Sequence, residues 1–188
     1  MGKLRNFGVL VGALAIVPLL ATTLQKLSLP EMAQKSTAVV RARVVGSEGV
    51  LRGSEVYTIY KLEPLEIWKA PASGTRWEVA VPGGIAGGLR QPVDGAPTLI
   101  EGREYVLFLW TSRTGLTQLI GLSQGLFDVD GKSLWTTRAP ASERMLDGQG
   151  RPVRDEALSM SLADLKTQVA QALTAAGASA VRASAGVR

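Results

Sequence analysis

From Thr37 to Trp135 the chain runs through strand-like segments in close succession, and the stretches between most of them are too short for a crossover helix. Parallel neighbours need a connection of about a dozen residues or more, whereas antiparallel ones need only a turn. This spacing excludes a doubly wound sheet. It predicts a mainly β fold, an antiparallel barrel or sandwich.

The segments differ in character. In Thr37–Val45, Val39, Arg41, Arg43 and Val45 share one face, while Val40, Ala42 and Val44 form a small apolar face. That pattern predicts a half-buried strand with its arginines outward or at an edge. Glycines at 46, 49 and 53 predict a loop over Gly46–Gly53. Val56–Leu62 and Leu65–Trp68 read as one long strand bent at Pro64, since proline cannot donate to a central ladder. Thr75–Val81 alternates as the next strand. Tyr105–Trp110 is almost continuously apolar and is the expected centre of the core. Leu116–Ile120, Gly125–Val129 and Ser133–Trp135 follow, with an Asp130-Gly131 turn.

A helix is expected at each end of this β region. Pro30 suits a first helical turn and Glu31 its positive dipole end, which predicts a short helix over Leu27–Lys35. Ser161 with Asp164 makes a capping pair, and Leu162, Leu165, Val169 and Leu173 make an apolar stripe. That helix is expected to pack on the barrel or to meet a partner.

The first residues follow another logic. Lys3 and Arg5 precede a 14-residue apolar run, Phe7–Leu20, and small residues follow at Ala21-Thr22-Thr23. Positive start, apolar middle and small-residue exit are the parts of an export signal, with cleavage expected after Ala21. The run is shorter than the roughly 20 residues of a membrane span, and Pro18 interrupts it. An uncleaved anchor is the alternative. The resulting organisation is an export signal at 1–21, a β-barrel domain at 22–137, an irregular linker at 138–158, a C-terminal helix at 159–174 and a flexible tail at 175–188. The expected location is secreted or periplasmic, with no membrane span once the signal is removed.

Composition removes several chemistries. The 188 residues include no cysteine and no histidine. Disulfides, thiol nucleophiles, thiolate or imidazole metal sites and histidine-based triads are therefore excluded. The net charge of +5 falls to +3 without Lys3 and Arg5, and no stretch interleaves basic with aromatic residues, so no nucleic-acid partner is expected. No cofactor and no metal is expected either.

The candidate binding loop lies in Pro82–Pro97, with five glycines and three prolines in sixteen residues. Gly83, Gly84, Gly87 and Gly88 with Arg90 make an anion nest conceivable, and Arg90 and Gln91 give the loop polar reach. The alternative is a crossover whose glycines satisfy awkward backbone angles. The loop lacks the Gly-Lys-Ser/Thr ending of a P-loop and the dinucleotide fingerprint. The four tryptophans, Trp68, Trp77, Trp110 and Trp135, suit core packing or a carbohydrate platform. Asp128 and Asp130 face one way in a strand, either as an oxygen-ligand pair or as a solvated hairpin tip. Ser123-Gln124-Gly125 lacks the flanks of a nucleophile elbow. No catalytic residue is nominated.

Leu27–Val44, Val81–Gly88 and Ile120–Val129 resemble a group of exported bacterial proteins of uncharacterised function. More distantly, the short helix, Ala38–Val45, the long strand ending near Trp68-Lys69 and Gly102–Phe108 are similar to the netrin-like fold, the OB-type barrel of the tissue inhibitors of metalloproteinases. That likeness implies a small OB-like antiparallel barrel with a short N-terminal helix and a C-terminal amphipathic helix. The family's inhibitory mechanism rests on an amino-terminal cysteine and disulfides that this chain lacks, so it transfers to no residue here. The function expected is a non-enzymatic binding or interaction module, possible partners being extracytoplasmic proteins. The alternatives are a structural envelope component or a carboxylate-based hydrolase, and the oligomeric state is left open.

Overall fold

The computed structural model describes residues 23–71 and 76–185. The expected export segment lies outside the described residues. In chain order the elements are β1 (Thr23–Gln25), α1 (Leu29–Lys35), β2 (Ala38–Arg52), β3 (Glu55–Lys69), β4 (Glu78–Pro82), β5 (Gly84–Ala86), β6 (Leu89–Gln91), β7 (Glu104–Thr111), β8 (Thr117–Leu119), β9 (Leu126–Asp130), β10 (Trp135–Arg138), β11 (Arg144–Leu146), β12 (Pro152–Val153), β13 (Leu158–Ser161) and α2 (Leu162–Ala185). The main sheet has the order β13-β10-β9-β7-β2-β3-β4, with β8 also on β7, and every pairing in it is antiparallel. β1, β11 and β12 form a small separate sheet in which β1 and β11 are parallel.

β7 explains why Tyr105–Leu109 is continuously apolar: both of its faces are covered. On one face Val106 and Phe108 join Val39, Phe127 and Val129 beneath Met32 of α1 and Leu165 and Val169 of α2. The rings of Phe108 and Phe127 pack tilted, with centroids 5.7 Å apart. On the other face Tyr105, Leu107 and Leu109 join Val40, Ala42, Val44, Tyr60, Leu62, Val79 and Val81. Among the described residues no helix covers this second face. The sheet covers it by curling until β4 lies alongside β8.

The curl stops short of closure, which corrects the OB-like barrel expected from the strand spacing and from the netrin-like resemblance: among the described residues no sheet closes. β8 is three residues long, Pro82 at the end of β4 has no N–H to give, and Pro97 stands at the seam. A cavity of about 170 Å³ remains there, lined by Val81, Pro82, Pro97 and Leu119 among others. The edge next to β8 is also interrupted. Phe108 donates its N–H to the Gly125 carbonyl and its carbonyl accepts from Ile120 N–H, so the chain leaving β8 and the chain entering β9 meet at one residue of β7 and residues 121–124 leave the ladder between them. Gly125 is required at this pinch, because a Cβ would lie 2.9 Å from the carbonyl oxygens of both Ile120 and Phe108.

The detour has a structural use. It carries Gln124, which is buried, with Oε1 accepting from Leu27 N–H (2.8 Å) and Nε2 donating to the Gln25 carbonyl (3.1 Å). One amide thus ties the chain leading into α1 to the sheet. α1 then starts on a reciprocal box: Ser28 Oγ accepts from Glu31 N–H and Glu31 Oε2 accepts from Ser28 N–H (2.9 Å). At its other end the Lys69 ammonium donates to the carbonyls of Ala33, Gln34 and Ser36.

Two further segments differ from expectation. Gly46–Gly53 is strand rather than loop: β2 pairs with β3 out to Arg52 opposite Glu55, leaving only Gly53-Ser54 as the turn. Gly53 has φ 63°, the conformation a two-residue hairpin asks of its first position. Pro64 is accommodated within β3 by a register shift, with Ala42 opposite Pro64 and Arg41 opposite Glu66. The stretch 138–158 holds β11 and β12 and is tied down by a buried ion pair. Arg138 and Asp155 side chains are 5% and 1% exposed and meet at 2.6 and 3.0 Å, while Asp155 also accepts from Ala141 N–H. α2 continues past the expected end at 174 to Ala185.

Burial works against ionisation of Asp155, but the Arg138 fork and the Ala141 N–H outweigh it and hold the carboxyl below its usual range. A depressed folded-state pKa stabilises the fold above the unfolded aspartate value of about 3.9 and ceases to do so as pH falls through the lower folded value. Arg138→Met strands the carboxylate and is expected to cost about 3–5 kcal/mol at pH 7 in urea unfolding. The difference from wild type should narrow toward pH 3, and Asp155→Leu in the same chain should recover most of the loss.

Candidate functional site

Pro82–Pro97 is where the sequence left most open. The structure resolves it into a hairpin, β5 paired antiparallel with β6, where the glycine and proline content pointed to no regular element. Gly87 and Gly88 have φ 56° and 77°, the pair of left-handed residues that a two-residue type I′ turn needs.

The hairpin lies against the long β2–β3 pair at backbone distance. A Cβ on Gly49 would come 1.8 Å from the Ile85 carbonyl oxygen, and one on Gly84 would come 2.3 Å from Thr58 Oγ1. Thr58 Oγ1 donates to the Gly83 carbonyl (2.9 Å), Gly83 N–H to the Val56 carbonyl (2.7 Å) and Val56 N–H to Gln91 Oε1 (2.8 Å). Gly49 of β2 and the glycines at the foot of the hairpin therefore permit one close contact between the hairpin and the β2–β3 pair.

The six nominated residues separate into different places. Gly83 and Gly84 form the foot of the hairpin, and the Gly83 N–H is spent on Val56. Gly87 and Gly88 form the tip. Gln91 is spent on anchoring, so it offers no polar reach through Oε1. Arg90 is exposed, as are the two tip glycines. The four glycines do not converge into an anion nest.

What the hairpin presents instead is apolar. Ile85 is 65% exposed, Leu89 53% and, on the neighbouring end of β2, Leu51 44%. Leu51 reaches the turn, its Cδ2 lying 3.7 Å from where a Gly87 Cβ would be. In the hairpin register Ile85 lies opposite Arg90 and Leu89 opposite Ala86, so the two aliphatic side chains project from opposite faces and the hairpin is a two-sided apolar platform, with Leu51 beside its tip. Ile85-Ala-Gly-Gly-Leu89 carried the signal for this: a Gly-Gly pair between short apolar steps is a hairpin pattern.

The other residues considered for chemistry come together elsewhere. Asp130 lies opposite Trp135 and Asp128 opposite Thr137 in the β9–β10 ladder. With Arg103 and Glu104 they line an open groove of about 560 Å³. Trp135 is exposed, as is Trp110 on β7, whereas Trp68 and Trp77 pack against the two cores. Burial works against ionisation of Glu104, yet the Arg41 and Arg43 guanidiniums, at 2.6 and 2.8 Å, hold its carboxyl below the usual range. The Ser133 hydroxyl and the Lys132 N–H hold Asp130 low as well. Among the described residues no group of acidic side chains is placed to hold a metal ion, and no helix is long and apolar enough to cross a membrane.

No protein-family model matches the chain, and neither a curated protein nor a solved structure matches it.

The hairpin contact makes a sharp prediction about two glycines on one strand. Gly49→Ala should cost roughly 1–3 kcal/mol, because the hairpin backbone must move away. Gly46→Ala meets nothing within 4 Å and should be neutral or slightly stabilising. Urea unfolding separates them, and limited proteolysis at 83–91 should accelerate in the Gly49 variant alone.

Proposed function

We propose that the chain is an exported binding module that performs no catalysis and meets a protein partner through the hairpin platform. The observation that carries this is the combination of exposure and rigidity at Ile85, Leu89 and Leu51. Their backbone is clamped at the distances given above, while their side chains face outward. Exposed apolar groups fixed in position lose little entropy on binding, and clusters of them mark interaction surfaces.

The signal-like pattern at 1–21 and the resemblance to exported bacterial proteins support a secreted or periplasmic setting. A carboxylate-based hydrolase is less well supported: Glu104 and Asp130 are shifted downward, opposite to what a general acid needs. A purely structural envelope role gives no reason for aliphatic side chains on a clamped, outward hairpin.

Two measurements test the proposal. Expression of the full chain with its own N-terminus, followed by fractionation and amino-terminal sequencing, should give an extracytoplasmic product that begins at Thr22; retention in the cytoplasm with Met1 intact would sink the export half. In-cell crosslinking should then give a discrete adduct with wild type that Ile85→Ser/Leu89→Ser loses at unchanged stability. An adduct indifferent to that pair would remove the platform from the function.

A further inference from the structure

The groove beside β10 shares no residue with the hairpin platform and has features the platform lacks. Trp135 is 46% exposed, yet its indole is fixed: Nε1–H donates to Ser159 Oγ at 2.6 Å across the β10–β13 pair. The preceding residue, Leu134, holds φ 52°, a left-handed conformation that a leucine adopts only at a cost. Both of its backbone groups are engaged, N–H with the Asp130 carbonyl and C=O with Leu162 N–H, each at 2.8 Å. The turn from β9 to β10 is thus constrained to present an indole to solvent.

The groove's polar groups comprise two ion pairs and one carboxylate held by neutral donors. Arg103 lies 3.7 Å from Asp128, Arg43 lies 2.8 Å from Glu104, and Asp130 accepts from Ser133 Oγ and Lys132 N–H at 2.7 and 3.0 Å. An anionic ligand would have to break the Arg103–Asp128 pair to find its counter-charge, whereas Asp130, held by neutral donors, keeps carboxylate lone pairs open to a further donor. A neutral ligand with many hydroxyls can instead donate to the spare carboxylate lone pairs and accept from the guanidinium N–H groups, leaving each pair intact. Its apolar C–H face is the complement of an exposed indole. The groove, at about 560 Å³, falls within the range of small-molecule sites.

We infer that this groove is a carbohydrate site that takes a neutral sugar, with Trp135 as the stacking platform and Asp128, Asp130 and Arg103 as the hydroxyl-binding groups. Three sequence features that were separate, the Asp128/Asp130 pair, the exposed tryptophan and the Asp-Gly turn, fall into one place.

The test is calorimetric titration of the purified full chain with neutral tetrasaccharides of three linkages and substituents: maltotetraose, cellotetraose and chitotetraose. The cationic glucosamine tetramer and the anionic galacturonate tetramer serve as charged counterparts. At least one neutral sugar should bind, with affinity lowered at least about tenfold by Trp135→Ala. Trp135→Phe, which keeps a ring but loses the bond to Ser159, should fall between. Trp110→Ala removes a similarly exposed indole outside the groove and should bind as wild type does. Three outcomes would overturn the inference: no binding of any neutral sugar at millimolar concentration, binding unaltered by Trp135→Ala, or tighter binding of a charged tetramer than of every neutral one. Ile85→Ser/Leu89→Ser should leave sugar binding unchanged, so this test and that of the platform fail independently.

Discussion

Two-sided burial of β7 is the constraint on which the rest of this structure depends. A strand with apolar residues at every position from Tyr105 to Leu109 needs a cover on each face. With so little chain between strands, helices are available for only one of them. α1 and α2 take the side of Val106 and Phe108, and the sheet must curl to cover Tyr105, Leu107 and Leu109 with its own far strands. The curl, the seam between β4 and β8 and the length of β2 and β3 follow from that demand. Tyr105 shows how closely the second face is fitted: it is buried, and its hydroxyl accepts from Ile100 N–H at 2.9 Å, which holds Leu99 in the core beneath the curl. Burial also keeps that phenol in its neutral form, raising its pKa.

The seam shows why a sheet with a barrel's strand sequence remains open. Closure needs two edges of matched length with free donors and acceptors. The β4 edge ends in proline, and the β8 edge is cut short by the 121–124 detour. The detour is not an accident of weak sequence. It supplies the amide of Gln124 that ties residues 25–27 to the sheet, and so fixes the entry to α1, whose Met32 and Ala33 cover the first face of β7. The interruption that prevents closure on one side therefore secures the cover on the other.

How much of this was legible in the sequence depended on whether a residue's role was local. The two helices, the bend at Pro64 and the centre of the core were readable because period, capping and apolar runs act within a few residues. Gly46 and Gly49 were misread because glycine in a strand carries the same local signature as glycine in a loop. For Gly49 what separates them is the Ile85 carbonyl, 36 residues along the chain, whereas Gly46 has no such neighbour and sits at a register shift in the β2–β3 ladder. Gln91 and Gln124 were equally opaque: glutamine looks like a surface residue until its backbone partners are known. The barrel expectation failed for the same reason, since strand count and order are local facts and closure is a relation between the first and last edges. In the candidate loop the reading of its glycines as satisfying awkward backbone angles holds, since Gly83, Gly84, Gly87 and Gly88 all have positive φ, but they do so in a hairpin rather than a crossover. The exposed aliphatics went unnoticed because an apolar residue next to glycine reads as core.

Both exposed surfaces make use of backbone that has little freedom left. The platform rests on close contacts that no side chain larger than glycine permits, and the groove rests on a leucine held in a left-handed turn by two backbone bonds. A flexible loop would present the same side chains but would surrender more conformational entropy on meeting a partner. Rigidity at an exposed apolar group carries a cost of its own, because the group stays in water whenever no partner is present and cannot fold inward. Ile85 on β5 lies opposite the exposed Arg90 and Trp135 on β10 opposite the exposed Asp130, so each is fixed by strand pairing among exposed neighbours. That shared placement, on paired strands rather than on loops, is the physical argument for reading the two surfaces as recognition surfaces.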